Sequence, residues 1–186
     1  MTQPSILVLV GSLRAASTNR QLADAAIESA GATATFTVFD RLAELPFYNE
    51  DVDVEGSVPE AAASFRAAVA AADALLVLTP EHNGTIPAVL KNAIDWSSRP
   101  FGAGAITGKP VAVIGSAYGQ FGGVWAQDEA RKSFGIAGAN VLDDVKLSIP
   151  GSVVRFAETH PRDDAEVVDQ LAAVVAAVTE AAVPAA

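Results

Sequence analysis

Three short, almost wholly aliphatic runs constrain this chain more than any other feature: residues 6–10 (ILVLV), 74–79 (ALLVLT) and 111–114 (VAVI). Each is cut off sharply, by Gly11, Pro80 and Gly115. Short continuous apolar runs bounded by turn residues mark strands covered on both faces, and such strands belong to parallel sheets. Residues 35–39 (TFTVF) alternate and suit another strand, and a weaker one is expected at 146–149. Helical patterns lie between them. Residues 19–30 form one, which Gly31 can terminate. Phe65, Val69 and Ala72 recur at helical spacing behind an S-x-x-E capping pattern at Ser57 and Glu60. Further helices are read at 88–96, with Leu90 and Ile94 on one face, at 124–134, and along the stripe Val167, Leu171, Val174 and Val178. Residues 41–56, polar and acidic with Pro46, Asn49 and Gly56, read as a long surface loop.

Strands alternating with helices imply a parallel sheet with helices on both faces, because parallel strands need crossover connections. With 186 residues, no repeats and no long linker, the chain is expected to form one α/β domain spanning 1–186. Ligands of such sheets bind beyond the carboxyl ends of the strands. Three loops fall there: 11–19, 80–87 and 116–123.

The first loop (GSLRAASTN) joins a buried strand to a helix start, where unpaired N–H groups receive a phosphate. Ser12, Ser17, Thr18 and Asn19 add neutral donors, and Arg14 adds a guanidinium that forks onto phosphate oxygens. Ser17, Thr18 and Asn19 equally suit a helix cap, and Arg14 a solvated surface position. The chain has neither the G-x-x-x-x-G-K-[ST] loop of NTPases nor G-x-G-x-x-G after a strand. In the second loop, Pro80, Pro87 and Gly84 fix a backbone path on which main-chain amides can meet the edge of a flat heterocycle. Glu81 reads as a structural hydrogen-bonding group, since no partner carboxylate stands near it in sequence. In the third loop, glycines permit close backbone approach, and Tyr118 and Phe121 offer aromatic faces.

Composition removes other classes. The chain has no cysteine, and His82 and His160 are its only histidines, so thiolate nucleophiles, iron–sulfur clusters and transition-metal sites are not expected. A net charge of -10 argues against nucleic acid and anionic membranes as partners. The apolar stretches 67–78 and 171–183 are interrupted by Asp73 and Glu180 and are too short for a bilayer, and residues 1–5 lack the basic region of a leader. A cytoplasmic location is the expectation.

The motifs together resemble the NADPH-dependent FMN reductase family, which includes quinone, chromate and azo-dye reductases. The resemblance rests on Gly11-Ser12-Leu13-Arg14 with Ser17, Asn19 and Arg20; on Thr79-Pro80-Glu81 with Asn83, Ile86 and Pro87; on residues 90–96 (LKNAIDW) with Ser98, Arg99 and Pro100; and on Ser116, Gly119, Gly122 and Gly123. It covers roughly residues 6–134. It implies a flavodoxin-like α/β/α fold with a five-stranded parallel sheet in the order 2-1-3-4-5. It also implies bound FMN, with NADPH or NADH as co-substrate and a small acceptor such as a quinone, free flavin, azo compound or chromate. By this resemblance Ser12, Arg14, Ser17, Thr18 and Asn19 hold the phosphate. Pro80, Glu81, His82, Asn83 and Gly84 line the flavin ring, and Ser116, Tyr118 and Gly119 border its other edge. The implied mechanism passes hydride through the flavin and requires no catalytic side chain. A homodimer or homotetramer is implied as well, with Phe47, Tyr48, Trp96, Phe101 and Trp125 as candidate contact aromatics. Two positions depart from the family: His82 stands where tyrosine is usual, and Trp125 where arginine is frequent. The alternatives are an electron-carrier flavodoxin and a flavin-binding redox module without turnover.

Overall fold

The computed structural model describes residues 3–183; Met1 and Thr2, part of the segment read for a leader, and residues 184–186 lie outside it. Its centre is a parallel sheet. Strands β1 (Ser5–Val10), β2 (Thr35–Val38), β3 (Ala74–Thr79), β4 (Pro110–Ser116) and β5 (Asn140–Val141) stand in the order β2-β1-β3-β4-β5, and β6 (Ser148–Ile149) also pairs with β4. The chain thus has the expected order, with one refinement: the fifth position is shared by two short pieces. β5 pairs with the start of β4 at Pro110 and Val111, and β6 with its end at Gly115 and Ser116.

Side-chain alternation along the strands divides the interior into two cores. Ile6, Val8 and Val10 of β1, with Leu76, Leu78 and Ile114, face α1 (Thr18–Ala30) and the C-terminal helix at Ala165–Ala181. Leu7, Leu9, Leu75, Val77, Val111 and Val113 face α2 (Glu60–Ala71), α3 (Ala88–Ser97) and α4 (Val124–Ile136). A short helix, α5 (Ser152–Arg155), precedes the C-terminal helix, α6. Val167, Leu171, Val174 and Val178 all face the core from α6, as their spacing requires.

The capping pattern at Ser57 and Glu60 is not used. Helix α2 begins at Glu60 behind Pro59, with no side-chain cap, and the Glu60 carboxylate is drawn instead to the Arg41 guanidinium at 2.9 Å. The segment 41–56 is a surface loop, but an ordered one containing two 3-10 turns, Leu42–Glu44 and Glu50–Val52. Residues of α3 fasten it. Asn92 accepts the Tyr48 N–H at 2.9 Å and donates to the Pro46 carbonyl at 3.0 Å, which also receives the Trp96 indole N–H at 2.7 Å. Arg66 grips Asp53 with two bonds of 2.6 and 2.7 Å, donates to the Trp96 carbonyl and lies over the Trp96 ring. Trp96 is fully buried by this arrangement and packs edge-on against half-buried Tyr48, so neither is exposed as Phe47, Phe101 and Trp125 are.

Candidate active site

The carboxyl ends of β1, β3 and β4 open into a cavity of about 490 Å³, within the usual range for small-molecule sites. The three loops converge there. Of the residues singled out in the sequence, Ser12, Arg14, Ser17, Thr18, Asn19, Pro80, Glu81, His82, Ser116 and Tyr118 line it. Asn83, Gly84 and Gly119 are exposed neighbours of lining residues and do not form its wall.

Helix α1 begins at the cavity. Ser17 is its cap, with Oγ accepting the Arg20 N–H at 3.3 Å. The first intrahelical bond runs from Gln21 N to Ser17 O, so the N–H groups of Thr18 and Asn19 precede the helical ladder. A capping hydroxyl that accepts still has its O–H to donate. Capping and anion binding are therefore compatible at Ser17. Arg14 is exposed on the cavity wall and has no ion-pair partner among the described residues. Arg20, six positions on, is spent on Asp24 and Asp40.

Asn19 has a different role from its neighbours. Its side chain is buried, and both ends of its amide are engaged by Ser116: Nδ2 donates to the Ser116 carbonyl at 3.1 Å and Oδ1 accepts the Ser116 N–H at 3.0 Å. This leaves its backbone N–H as the group free for an anion, while its side chain ties α1 to the third loop.

The second loop is a two-residue hairpin. His82 and Thr85 exchange both backbone hydrogen bonds, at 2.9 and 3.1 Å, across Asn83 and Gly84, whose φ angles of 53° and 77° define a type I′ turn. The backbone of this hairpin is fixed by the Asn-Gly pair, and the His82 side chain remains exposed beside the cavity. Glu81 lines the cavity and is engaged structurally. Its carboxylate accepts the Ala126 N–H at 3.3 Å and so caps α4. That helix begins after Gly123, which is left-handed and has no side chain to do so.

The third loop follows β4 at a point where no side chain fits. A Cβ on Gly115 would lie 2.1 Å from the Thr79 carbonyl oxygen. Ser116, next in line, is 1% exposed, lines the cavity, and has a hydroxyl with no hydrogen-bond partner among the described residues. A buried unpaired hydroxyl is costly, and at a cavity wall a bound ligand or water can satisfy it. Exposed Phe121 and Trp125 pack against each other in a tilted arrangement, ring centres 5.3 Å apart, on this loop and the start of α4.

Two lining residues, Ser152 and Val153, are not signalled in the sequence. They arrive through α5, whose Ser152 N–H donates to the Ala117 carbonyl at 3.1 Å. Arg155 then fastens α5 to the start of α6 through Asp164, at 2.7 and 3.0 Å. That guanidinium holds the Asp164 carboxyl below the usual carboxylate range. Neither residue belongs to a motif, and the valine is an exposed apolar residue of the kind common on any surface. The segment 90–100, in contrast, is the most distinctive motif in the chain and lies outside the cavity wall except for its neighbours Ala88 and Val89. Its polar residues hold the 41–56 loop.

Sheet order, helices on both faces and a cavity beyond β1, β3 and β4 define a flavodoxin-like protein. Residues 4–154 match the model of the NADPH-dependent FMN reductase family, and the chain belongs to that family. It is 45% identical over 129 residues to a quinone reductase of Pseudomonas putida, covering 69% of this chain and 68% of that protein. A 2-hydroxy-1,4-benzoquinone reductase of Burkholderia sp is 41% identical over 154 residues, 83% of this chain and 80% of its own. Among solved structures, FerB, a flavoenzyme NAD(P)H:(acceptor) oxidoreductase from Paracoccus denitrificans, superposes with a TM-score of 0.86 at 30% identity, covering 96% of this chain and 97% of that one.

Proposed function

We propose that this chain is an FMN-dependent oxidoreductase that takes reducing equivalents from NADPH or NADH and delivers them to a small quinone-type acceptor in the same cavity. The observation that carries the reading is the buried, unpartnered hydroxyl of Ser116 in a cavity whose one unpaired cation among the described residues is Arg14. The residues fit a flat ring bearing a phosphate. Arg14, the hydroxyls of Ser12, Ser17 and Thr18, and the first-turn N–H groups of α1 would hold the phosphate. The 80–84 hairpin and the segment 116–119 would border the ring, with Ser116 Oγ gaining a partner. FMN, when bound, would supply the hydride-transfer chemistry between the nicotinamide and the acceptor. The chain's part is to bind and orient: among the described residues that line the cavity, Glu81 caps α4 and His82 is exposed. The names of the Pseudomonas and Burkholderia relatives support a quinone as acceptor.

We further propose a single-domain, cytoplasmic protein that forms a homodimer or homotetramer. Exposed Phe47, Phe101, Trp125 and Ile136 support self-association, and light scattering that finds only a 19.0 kDa monomer would contradict it. No helix among the described residues is long and apolar enough to cross a membrane.

The test of function begins with flavin titration of the apoprotein. FMN is expected to bind much more tightly than riboflavin, and Arg14→Ala to weaken FMN by about tenfold while leaving riboflavin nearly unaffected, as one charge-assisted contact predicts. Equal affinity for the two flavins refutes the phosphate site. Anaerobic NADPH or NADH must then bleach the bound flavin, and a quinone must restore it through many turnovers. Bleaching by neither donor, with electrons passed singly to a protein, would identify an electron carrier instead.

A further inference from the structure

Behind the third loop runs a buried polar chain that takes no part in the cavity wall. β5 and β6 cover the two ends of β4 and leave a gap between them. On that side of β4, Val111 O receives Leu142 N and Gly115 N donates to Leu147 O, so the groups of Val113 between them face the gap. Arg131 of α4 enters it. Its Nη2 donates to the Val113 carbonyl at 2.6 Å and to the Gln127 Oε1 at 3.4 Å, while Nη1 reaches the exposed Asp128 at 3.1 Å. Gln127, with no exposed surface, turns its Nε2 to the Gly122 carbonyl at 3.2 Å.

The start of the third loop is held by Asn19 at Ser116 and by backbone bonds of Ala117 with Ile149 and Ser152; Gly122 is where its far end is pinned. Its φ is +63°, and an added Cβ would meet the backbone of Ser148 and Ile149 at 2.8 Å. The loop 115–123 is glycine-rich, so its ordering is entropically expensive. Among the described residues, two side-chain bonds from outside the loop reach its end and the start of α4: Glu81 to Ala126 N and Gln127 to Gly122 O. Stability alone is a poor account of the chain behind it. Arg131 is 7% exposed, its Nε has no partner among the described residues, and burial works against its charge. A buried charge held this way is commonly matched or bettered in stability by an apolar residue. What an apolar residue cannot do is fix a carbonyl.

We propose that Gln127 and Arg131 are positioning residues for the flavin site, holding the Gly122 carbonyl so that the turn closed by the Gly122 N–H on the Gly119 carbonyl keeps Tyr118 at the cavity wall. The inference rests on the flavin assignment made above. Gln127 acts on the loop, and Arg131 acts through Gln127, oriented by Val113.

Gln127→Glu separates this role from simple support of the fold. The carboxylate still accepts from Arg131 but cannot donate to Gly122. Leaving the buried Gly122 carbonyl without its donor is expected to lower the melting point of the apoprotein by about 2–8 °C, with the contact to Arg131 offsetting part of the loss and the protein still folded under assay conditions. Amide exchange at Gly119, Gly122 and Gly123 should accelerate at least tenfold while that of β4 is unchanged. The FMN dissociation constant should rise about fivefold to tenfold, the loss expected for one hydrogen bond. Gln127→Met, which removes both bonds without adding charge, should move exchange and affinity the same way. Unchanged exchange in the loop, or FMN affinity within about twofold of wild type in both variants, overturns the proposal. So does an equal acceleration of exchange in β4 and in the loop, which would make the chain purely structural. If wild-type protein itself binds no FMN, the flavin assignment fails, and the exchange measurement alone still decides whether Gln127 holds the loop.

Discussion

Replacing Asn19 by aspartate alters one end of the tie between α1 and the third loop. The Asn19 amide gives one hydrogen bond to the Ser116 carbonyl and takes one from its N–H, at 3.1 and 3.0 Å, with the residue 4% exposed. An ionised carboxylate keeps the second bond and turns the first into a contact between two oxygens. Loss of a buried bond with its acceptor left unpaired costs about 1–3 kcal/mol, and more where charge is involved. The N-terminus of α1 favours a negative charge at this second helical position, by about 0.3–1 kcal/mol. The first effect outweighs the second. The introduced carboxyl is then expected to titrate above its ordinary value of about 3.9, and when protonated to donate to the Ser116 carbonyl as the amide did. A group whose pKa is raised on folding supports the fold below its unfolded pKa and ceases to as pH rises through the folded one. The deficit of Asn19→Asp relative to wild type should therefore grow above about pH 4, by about 1.4 kcal/mol per unit, and level off once the raised pKa is passed. A plateau of about 2 kcal/mol implies a rise of about 1.5 units and a melting point about 4–8 °C lower at neutral pH. Urea unfolding of both apoproteins at acidic and neutral pH measures this. A deficit equal at the two pH values, or below about 0.5 kcal/mol at neutrality, would refute the argument that the tie is made through a donated proton.

Three further outcomes are expected. His82→Ala should lower turnover of the FMN-loaded enzyme by less than about tenfold and leave its pH profile unchanged, because the hairpin uses the His82 backbone and the ring is in solvent; a loss beyond about 10²-fold with flavin bound would make His82 a proton donor. Gly115→Ala, which sets a methyl 2.1 Å from the Thr79 oxygen, should cost about 3 kcal/mol by forcing β3 and β4 apart; thermal melting unchanged from wild type would show that the strands yield easily. Asp53→Asn should cost about 1–2 kcal/mol at neutral pH, since the Arg66 hydrogen bonds hold the Asp53 carboxyl below its ordinary value. That contribution is present above the unfolded pKa and lost as pH falls through the depressed one, so the two proteins should converge in acid, and a constant difference down to about pH 3 would contradict it.

The sequence was most legible where burial alone decides structure. The aliphatic run 74–79 is β3 residue for residue, and the stripe from Val167 to Val178 faces the core. It was least legible where one residue competes for two partners. Glu60 matches a capping box but is claimed by Arg41, a residue whose approach depends on the path of the whole 41–56 loop. β5 and β6, two residues each, are too short to leave a periodic signal, and the strand expected at 146–149 is only the second of them. The candidate site shows the same division. The first loop announces itself through its hydroxyls and Arg14, whereas the bidentate tie from Asn19 to Ser116 spans 97 positions and is invisible in either segment alone. Residues 90–100 were conspicuous for a reason the sequence does not reveal: Asn92 and Trp96 bind carbonyls of a neighbouring loop.

The split of the outermost strand bears on how copies of this protein can meet. An edge strand is a template for another chain in proportion to the length of unpaired backbone it presents. Here one edge is offered by two pieces of two residues each, separated by a loop, and the other by the four residues of β2. Neither is long enough to seed continuous pairing. Growth of the sheet from one molecule into the next is thereby discouraged at both ends, and association is left to side chains on the helices and loops, where it can be limited to a closed assembly.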